Sequence, residues 1–357
     1  MPAPNLRAKA LVILAWVIAC AGFRLSAQDT TLVYPWRISN FPYVTASPND
    51  GVMLMYRGVL FRQSRWDDRA SIHDQVAVEA GYSTKDSWLV RVRGDFPRLA
   101  DGWRLQAIAQ AGKEGMYDGG AYANRQVASL ELTRRIKGPV SVALRGDATH
   151  VTVGGFSATS ESEVRGRLAL VIDTRNREYD TRSGLLVQFG PFVGSENKMS
   201  GAYGLAAGWL SLSERTRVTA RAGFRNGTHL MVNSGRTLPA WEDEFVLGGG
   251  PESNRALPIG AHIDKSMNMV SAEIRHDLKV FPGGAIAVIA FVDGSRSYCG
   301  DCIPLIDTPP VNSTADDWKI GPGAGIALRL LRNAVLTATV GVAESKARIY
   351  VSSGWSW

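Results

Sequence analysis

Apolar and polar residues alternate with period two along most of this chain. Val164, Gly166, Leu168, Leu170 and Ile172 alternate with Arg165, Arg167 and Ala169. Thr216, Val218, Ala220, Ala222 and Phe224 alternate with Arg217, Thr219, Arg221 and Arg225. Trp88, Val90 and Val92 alternate with Arg91, Arg93 and Asp95, and Val270, Ala272, Ile274 and Leu278 with Ser271, Glu273, Arg275 and Asp277. Strict alternation puts one set of side chains on each face of a β-strand, and no segment sustains helical spacing. About fifteen such segments follow one another, each roughly ten residues long, which is enough to cross a bilayer at a tilt. Tight turns join them, such as Lys137-Gly138-Pro139, Ser213-Glu214-Arg215 and Arg332-Asn333.

A water-soluble sandwich would alternate as well, so a single strand decides nothing. The length of the array decides more, because a sheet in lipid must pair every backbone group and therefore close on itself. The expectation is an all-β fold, a transmembrane antiparallel β-barrel. Bacterial barrels carry an even number of strands, so about sixteen are expected. The missing strand is sought in residues 30–50 or 228–247. Trp66, Trp88, Trp103, Trp209, Trp318, Trp355 and Tyr350 fall near strand ends, where amphipathic rings suit the membrane interface.

The N-terminus adds an export signal. Arg7 and Lys9 precede an apolar run from Ala10 to Gly22, and Leu25-Ser26-Ala27 precedes Gln28. The run is shorter than the roughly 20 residues of a membrane helix. Residues 1–27 read as a signal peptide cut near Ala27, 28–50 as an N-terminal lead-in and 51–357 as the barrel. Val17-Ile18-Ala19-Cys20 leaves open a lipoprotein cut with Cys20 acylated. The net charge is +7, and Arg7, Lys9 and Arg24 leave with the signal. The remaining basic residues are spaced along strands rather than clustered, so no nucleic-acid partner is expected. Arg217, Arg221 and Arg225, with Arg91, Arg93, Arg165 and Arg167, read as a hydrated barrel interior or as a lumen that favours anions. Cys299 and Cys302, in Cys-Gly-Asp-Cys, are a candidate local disulfide or inert thiols. No further ligands lie near them, so no metal or other cofactor is expected.

One constellation carries more specific information. Gly248, Gly249 and Gly250 open Gly-Gly-Gly-Pro-Glu-Ser-Asn-Arg, which ends at Arg255. Two strands follow, Ala272-Glu273-Ile274-Arg275 and Phe291-Val292-Asp293-Gly294. Glu273 and Asp293 each fall opposite a lipid-facing residue, Ile274 and Val292. An arginine loop tucked inward would find both carboxylates, and a guanidinium makes strong directional bonds to such groups. Folded outward, Arg255 would be one more solvated cation.

These segments resemble the BamA/TamA-type barrels of the bacterial surface antigen family, in which Gly-Gly and a Val-Arg-Gly-aromatic motif form a loop inserted in the lumen. Ser253-Asn254-Arg255-Ala256-Leu257 lies over that motif, with Ala256 in place of its Gly and Leu257 in place of its aromatic residue. Glu273 matches its Glu-Leu-Arg strand, and Phe291, Asp293 and Gly294 match its Phe-x-Asp-x-Gly strand. Asp173-Thr174-Arg175-Asn176, with Tyr179-Asp180-Thr181-Arg182-Ser183-Gly184, is similar to its Asp-x-Arg-Asp…Pro-x-x-Gly turn, Asn176 replacing an Asp and the Pro being absent. Phe41-Pro42-Tyr43 and Ser47-Pro48-Asn49-Asp50-Gly51 resemble the opening of short members. Trp355 and Trp357, on one face with Ile349 and Val351, resemble an outer-membrane assembly signal.

The resemblance covers residues 40–357 and implies an outer-membrane location. It also implies that the barrel assists protein insertion or translocation. The partners implied are outer-membrane lipids, unfolded outer-membrane proteins and a separate periplasmic protein, because too few residues precede residue 40 for one of the family's soluble POTRA domains. A passive pore or structural barrel is the alternative. An enzyme is not expected: His150-Val151-Thr152 lacks a lipase's Ser, and Gly155-Phe156-Ser157-Ala158-Thr159 lacks the second glycine of a nucleophile elbow.

Overall fold

The computed structural model describes residues 35–63, 72–115, 122–154, 159–178, 180–195, 200–228, 254–257, 266–281, 284–298, 317–330 and 334–353. Sixteen strands make up its regular structure. The first eight are β1 (Trp36–Ser47), β2 (Gly51–Gln63), β3 (Ile72–Ser83), β4 (Trp88–Ala100), β5 (Trp103–Gly115), β6 (Tyr122–Lys137), β7 (Val140–Gly154) and β8 (Thr159–Asp173). Then come β9 (Gly184–Gly194), β10 (Ser200–Ser211), β11 (Thr216–Thr228), β12 (Ser266–Phe281), β13 (Gly284–Tyr298), β14 (Lys319–Leu330), β15 (Ala334–Ala343) and β16 (Lys346–Ser353). Each pairs antiparallel with its chain neighbours, and β1 meets β16 to close the barrel.

The period-two pattern decides which face is which. Ile38, Leu54, Val164, Leu168, Leu210, Ile320 and Ile349 stand exposed on the outside. Arg165, Arg167, Arg217, Arg221, Arg225, Glu163 and Asp147 are buried inside. An apolar exterior around a charged interior is the arrangement of a transmembrane barrel. The longest breaks between strands, after β11 and after β13, open at one end of the barrel, while short turns such as 101–102 and 138–139 lie at the other. Transmembrane barrels keep short turns on the periplasmic side, which sets the orientation.

The sixteenth strand is β1, inside the stretch read as a lead-in, so the barrel begins at Trp36 rather than at residue 51. Its apolar residues fall on both faces: Ile38 and Val44 point outward, whereas Tyr43 is buried in the lumen and donates to Glu79. Period two is thereby lost, and Pro42 weakens the strand signal further. The following turn is closed by Ser47 and Asp50, whose side chains bond to each other at 2.9 Å, and by Gly51 at φ 73°.

Among the described residues, the β1–β16 seam has one register pair, Ala46 with Val351. β1 pairs with β2 along its whole length, from Trp36–Arg62 to Ser47–Gly51.

Candidate functional site

Asn254, Arg255, Ala256 and Leu257 lie inside the barrel, all almost wholly buried. They form a tight turn in which the amide of Leu257 donates to the carbonyl of Asn254 at 3.0 Å. The Asn254 side chain ties this turn to the wall, donating to Ser295 at 3.1 Å and to the carbonyl of Lys319 at 2.9 Å. Its own oxygen accepts from the amide of Ala256 at 3.1 Å.

Arg255 then clasps β13 and β12. Its Nε and Nη2 donate to the two oxygens of Asp293 at 2.8 and 2.9 Å, a bidentate fork. Its backbone amide adds a third bond to Asp293 at 2.9 Å. Nη1 donates to Glu273, whose other oxygen accepts from Arg275. Ser271 donates to Asp293 at 2.6 Å. The guanidinium carbon lies 3.5 Å from the centre of the Phe291 ring, a cation–π contact away from water. Burying these charges is expensive, and only a network in which each carboxylate finds several donors offsets it.

One register row explains why the loop fits. Glu273 pairs with Phe291, Phe291 with Gly323, Gly323 with Gly341 and Gly341 with Arg348, a continuous line across β12 to β16. The two glycines leave a trench between Phe291 and Arg348. A Cβ on Gly341 would lie 2.6 Å from the Arg255 carbonyl and 2.8 Å from the Ala256 Cα. A Cβ on Gly321 would collide with the Ala256 methyl, and one on Gly323 with the Phe291 ring. The far bank belongs to β16, where Arg348 donates to the carbonyl of Ala256 at 2.6 Å and Tyr350 to that of Leu257 at 2.5 Å.

The same barrel shape occurs in known proteins. BamA from Haemophilus ducreyi lacking POTRA domains 1–3 matches with a TM-score of 0.58 at 13% identity, covering 90% of this chain and 70% of that one. CdiB from Escherichia coli matches with a TM-score of 0.59 at 13% identity, over 90% of this chain and 63% of that one. CdiB from Acinetobacter baumannii gives 0.52 at 12%, over 91% and 60%. The chain shares the barrel fold of these proteins. It spans between 60% and 70% of the length of those chains. No family model matches the sequence. No curated protein matches it either.

Within this barrel the structure brings together Arg255, Glu273, Asp293 and Phe291. It changes the reading of four other residues. Ala256 and Leu257 preserve the turn although they depart from the family motif: Ala256 uses the space that Gly321 and Gly341 provide, and Leu257 packs with Ala343. The aromatic contact to the arginine comes from Phe291 instead. Tyr350 is a correction: it was assigned to the membrane interface, but it is buried in the lumen, on the face opposite lipid-exposed Ile349. Gly294 faces outward, where a Cβ would sit 3.1 Å from the Val270 side chain and 3.4 Å from the Trp318 ring.

Asp173, Arg175 and Gly184 form a second motif at the periplasmic end. Arg175 forks onto Asp173 through Nε at 3.0 Å and Nη2 at 2.9 Å. Gly184 has φ 119°, and a Cβ there would lie 2.5 Å from the Thr174 carbonyl. Asn176 accepts from the amides of Arg182 and Ser183, closing the turn without the family's Asp and Pro. His150 meets Ser162 at 2.7 Å rather than Thr152. Among the described residues no cluster could hold a metal ion. Gly248, Gly249, Gly250, Tyr179, Cys299, Cys302, Trp355, Trp357 and the signal region lie outside the described residues.

Sequence reasoning missed Gly321, Gly323, Gly341 and Arg348. Gly321-x-Gly323-x-Gly325 is a legible signal, because glycines at alternate positions of a strand clear one face for another backbone.

Proposed function

We propose that this chain is an exported outer-membrane protein that assists the insertion or translocation of other proteins at that membrane. The observation that carries the reading is the clasped loop. The Arg255 turn joins β12 and β13 to β16, stiffening the wall beside the closing seam. The seam itself has a single register pair among the described residues. A stiff wall next to a thinly paired seam suits a barrel that parts between its first and last strands to receive a client strand by edge pairing. Unfolded outer-membrane proteins are the clients in this reading, and a separate periplasmic protein delivers them.

The test is client folding in proteoliposomes. The wild type should speed the insertion of a small outer-membrane barrel. An Ala46→Cys/Val351→Cys disulfide, in a chain with Cys299 and Cys302 changed to Ser, should abolish that effect until it is reduced. Antiparallel partner positions lie close enough for such a bond. A wild-type barrel that conducts ions steadily but leaves client folding unchanged would instead mark a passive pore.

A further inference from the structure

The turn between β8 and β9, residues 174–183, is the longest connection at the periplasmic end. It does not fold outward. Glu178 accepts from Arg104 of β5 at 3.0 Å. Asp180, two residues on, accepts from Arg217 of β11 and from Arg329 of β14. Arg182 donates to Asp277 of β12 at 3.2 Å, and Asp277 also lies 3.9 Å from Arg329. Thr181, next to Asp180, is buried and donates to the carbonyl of Arg177 at 2.7 Å.

The topology turns these contacts into a position. In the ring of sixteen strands, β5 and β14 are seven strands apart one way and nine the other, so they face each other across the lumen. Arginines from both walls reach acids only two residues apart on one turn. That is possible only if the turn spans the mouth near its centre. All four wall residues, Arg104, Arg217, Asp277 and Arg329, lie near the periplasmic ends of their strands. Asp180 adopts φ 52°, a left-handed conformation uncommon outside glycine, and its two ion pairs hold it there.

We propose that the β8–β9 turn, through Glu178, Asp180 and Arg182, acts as a strap that closes the periplasmic mouth of the lumen and is released by loss of its ion pairs. Among the described residues the strap is bound to the wall by charge pairs. Its outer residues Arg177 and Ser183 are exposed, so solvent and salt reach the pairs from one side. Salt therefore loosens it, as the Debye length falls from about 10 Å at 0.1 M to about 3 Å at 1 M. The strap concerns passage through the lumen, so it stands independently of a lateral seam and of any client protein.

Ion conductance of the full-length protein in planar bilayers tests this. Asp180→Asn keeps size and removes the charge that holds β11 and β14. It should raise open-state conductance or open probability several-fold at low salt, and Glu178→Gln should do so to a lesser degree. Wild-type conductance should rise with salt more steeply than that of the bulk solution, and Asp180→Asn should flatten this excess. Arg329→Gln, on the opposite wall, should reproduce the opening and serves if Asp180→Asn fails to give the heat-modifiable band of a folded barrel. Folded variants that conduct like the wild type at every salt concentration would overturn the proposal. Lower unfolding temperature with unchanged conductance would do the same, because it would make the turn a structural brace and not a closure.

Discussion

The backbone amide and two guanidinium nitrogens of Arg255 all donate to the one carboxylate of Asp293, at 2.9, 2.8 and 2.9 Å. A main-chain bond and a side-chain fork on the same acceptor fix both the position of the loop and the rotamer of its arginine. Arg255→Ala leaves Asp293 and Glu273 buried with fewer donors, and breaking such a pair costs about 3–5 kcal/mol. Arg255→Lys should recover little, because an ammonium cannot bridge two oxygens of Asp293 while also reaching Glu273. Urea unfolding in lipid vesicles, followed by tryptophan fluorescence, measures both. Equal midpoints for Arg255→Ala and the wild type would show that the clasp does not stabilise the barrel.

The trench gives a steric counterpart. Gly341→Val places a branched side chain where the backbone of Arg255 and Ala256 lies, within 2.6 and 2.8 Å of the first added carbon. Backbone cannot yield as a flexible side chain can, so the cost should exceed the about 1–3 kcal/mol typical of overpacking, or the loop should leave its seat. Limited proteolysis distinguishes a seated loop from a displaced one. A new cut near Arg255 is expected in the variant and not in the wild type.

Adjacent residues on β16 should behave oppositely. Tyr350→Phe removes the donor to the buried Leu257 carbonyl and should destabilise by about 1–3 kcal/mol, the penalty for a buried group left unsatisfied. Ile349→Leu, on the lipid side, should leave the unfolding midpoint unchanged. A similar loss at both positions would contradict the assignment of Tyr350 to the lumen.

Gly184→Ala tests the periplasmic turn. The left-handed backbone angle of φ 119° and the Thr174 carbonyl, 2.5 Å from a new Cβ, both oppose the substitution. A loss of at least about 1–3 kcal/mol is expected from the backbone angle alone. Gly208→Ala is the control, since a Cβ there meets nothing nearer than Leu185 at 3.9 Å. The difference between the two unfolding midpoints is the quantity to measure.

Where the chain alternates cleanly, as along β8 and β11, the strands and their lipid-facing sides were legible in the sequence. β1 was legible only as a missing strand to be sought in residues 30–50 or 228–247, because Tyr43 serves the lumen on a strand whose Ile38 and Val44 serve the lipid. The Arg255, Glu273 and Asp293 set was legible for a related reason: each acid interrupts a strand at a position opposite Ile274 or Val292. The strap was not. Arg104, Arg217 and Arg329 lie on strands far apart in the chain, each one an ordinary inward-facing arginine, and only the closed ring brings the first to Glu178 and the other two to Asp180. Tyr350 was misread because a tyrosine near a strand end suits either the membrane interface or the lumen. Its face is settled by its register beside Ile349 and not by its position along the strand.

The trench in which Arg255 lies also sets an order of events. Its acids come from β12 and β13, but its floor, Gly321, Gly323 and Gly341, and its far bank, Arg348 and Tyr350, belong to the last three strands. The loop precedes all of them in the chain, yet it can be fully seated only when the final strand is in register. The clasp is therefore a latch that engages last, and a seated Arg255 reports that the C-terminal third of the barrel wall has been completed.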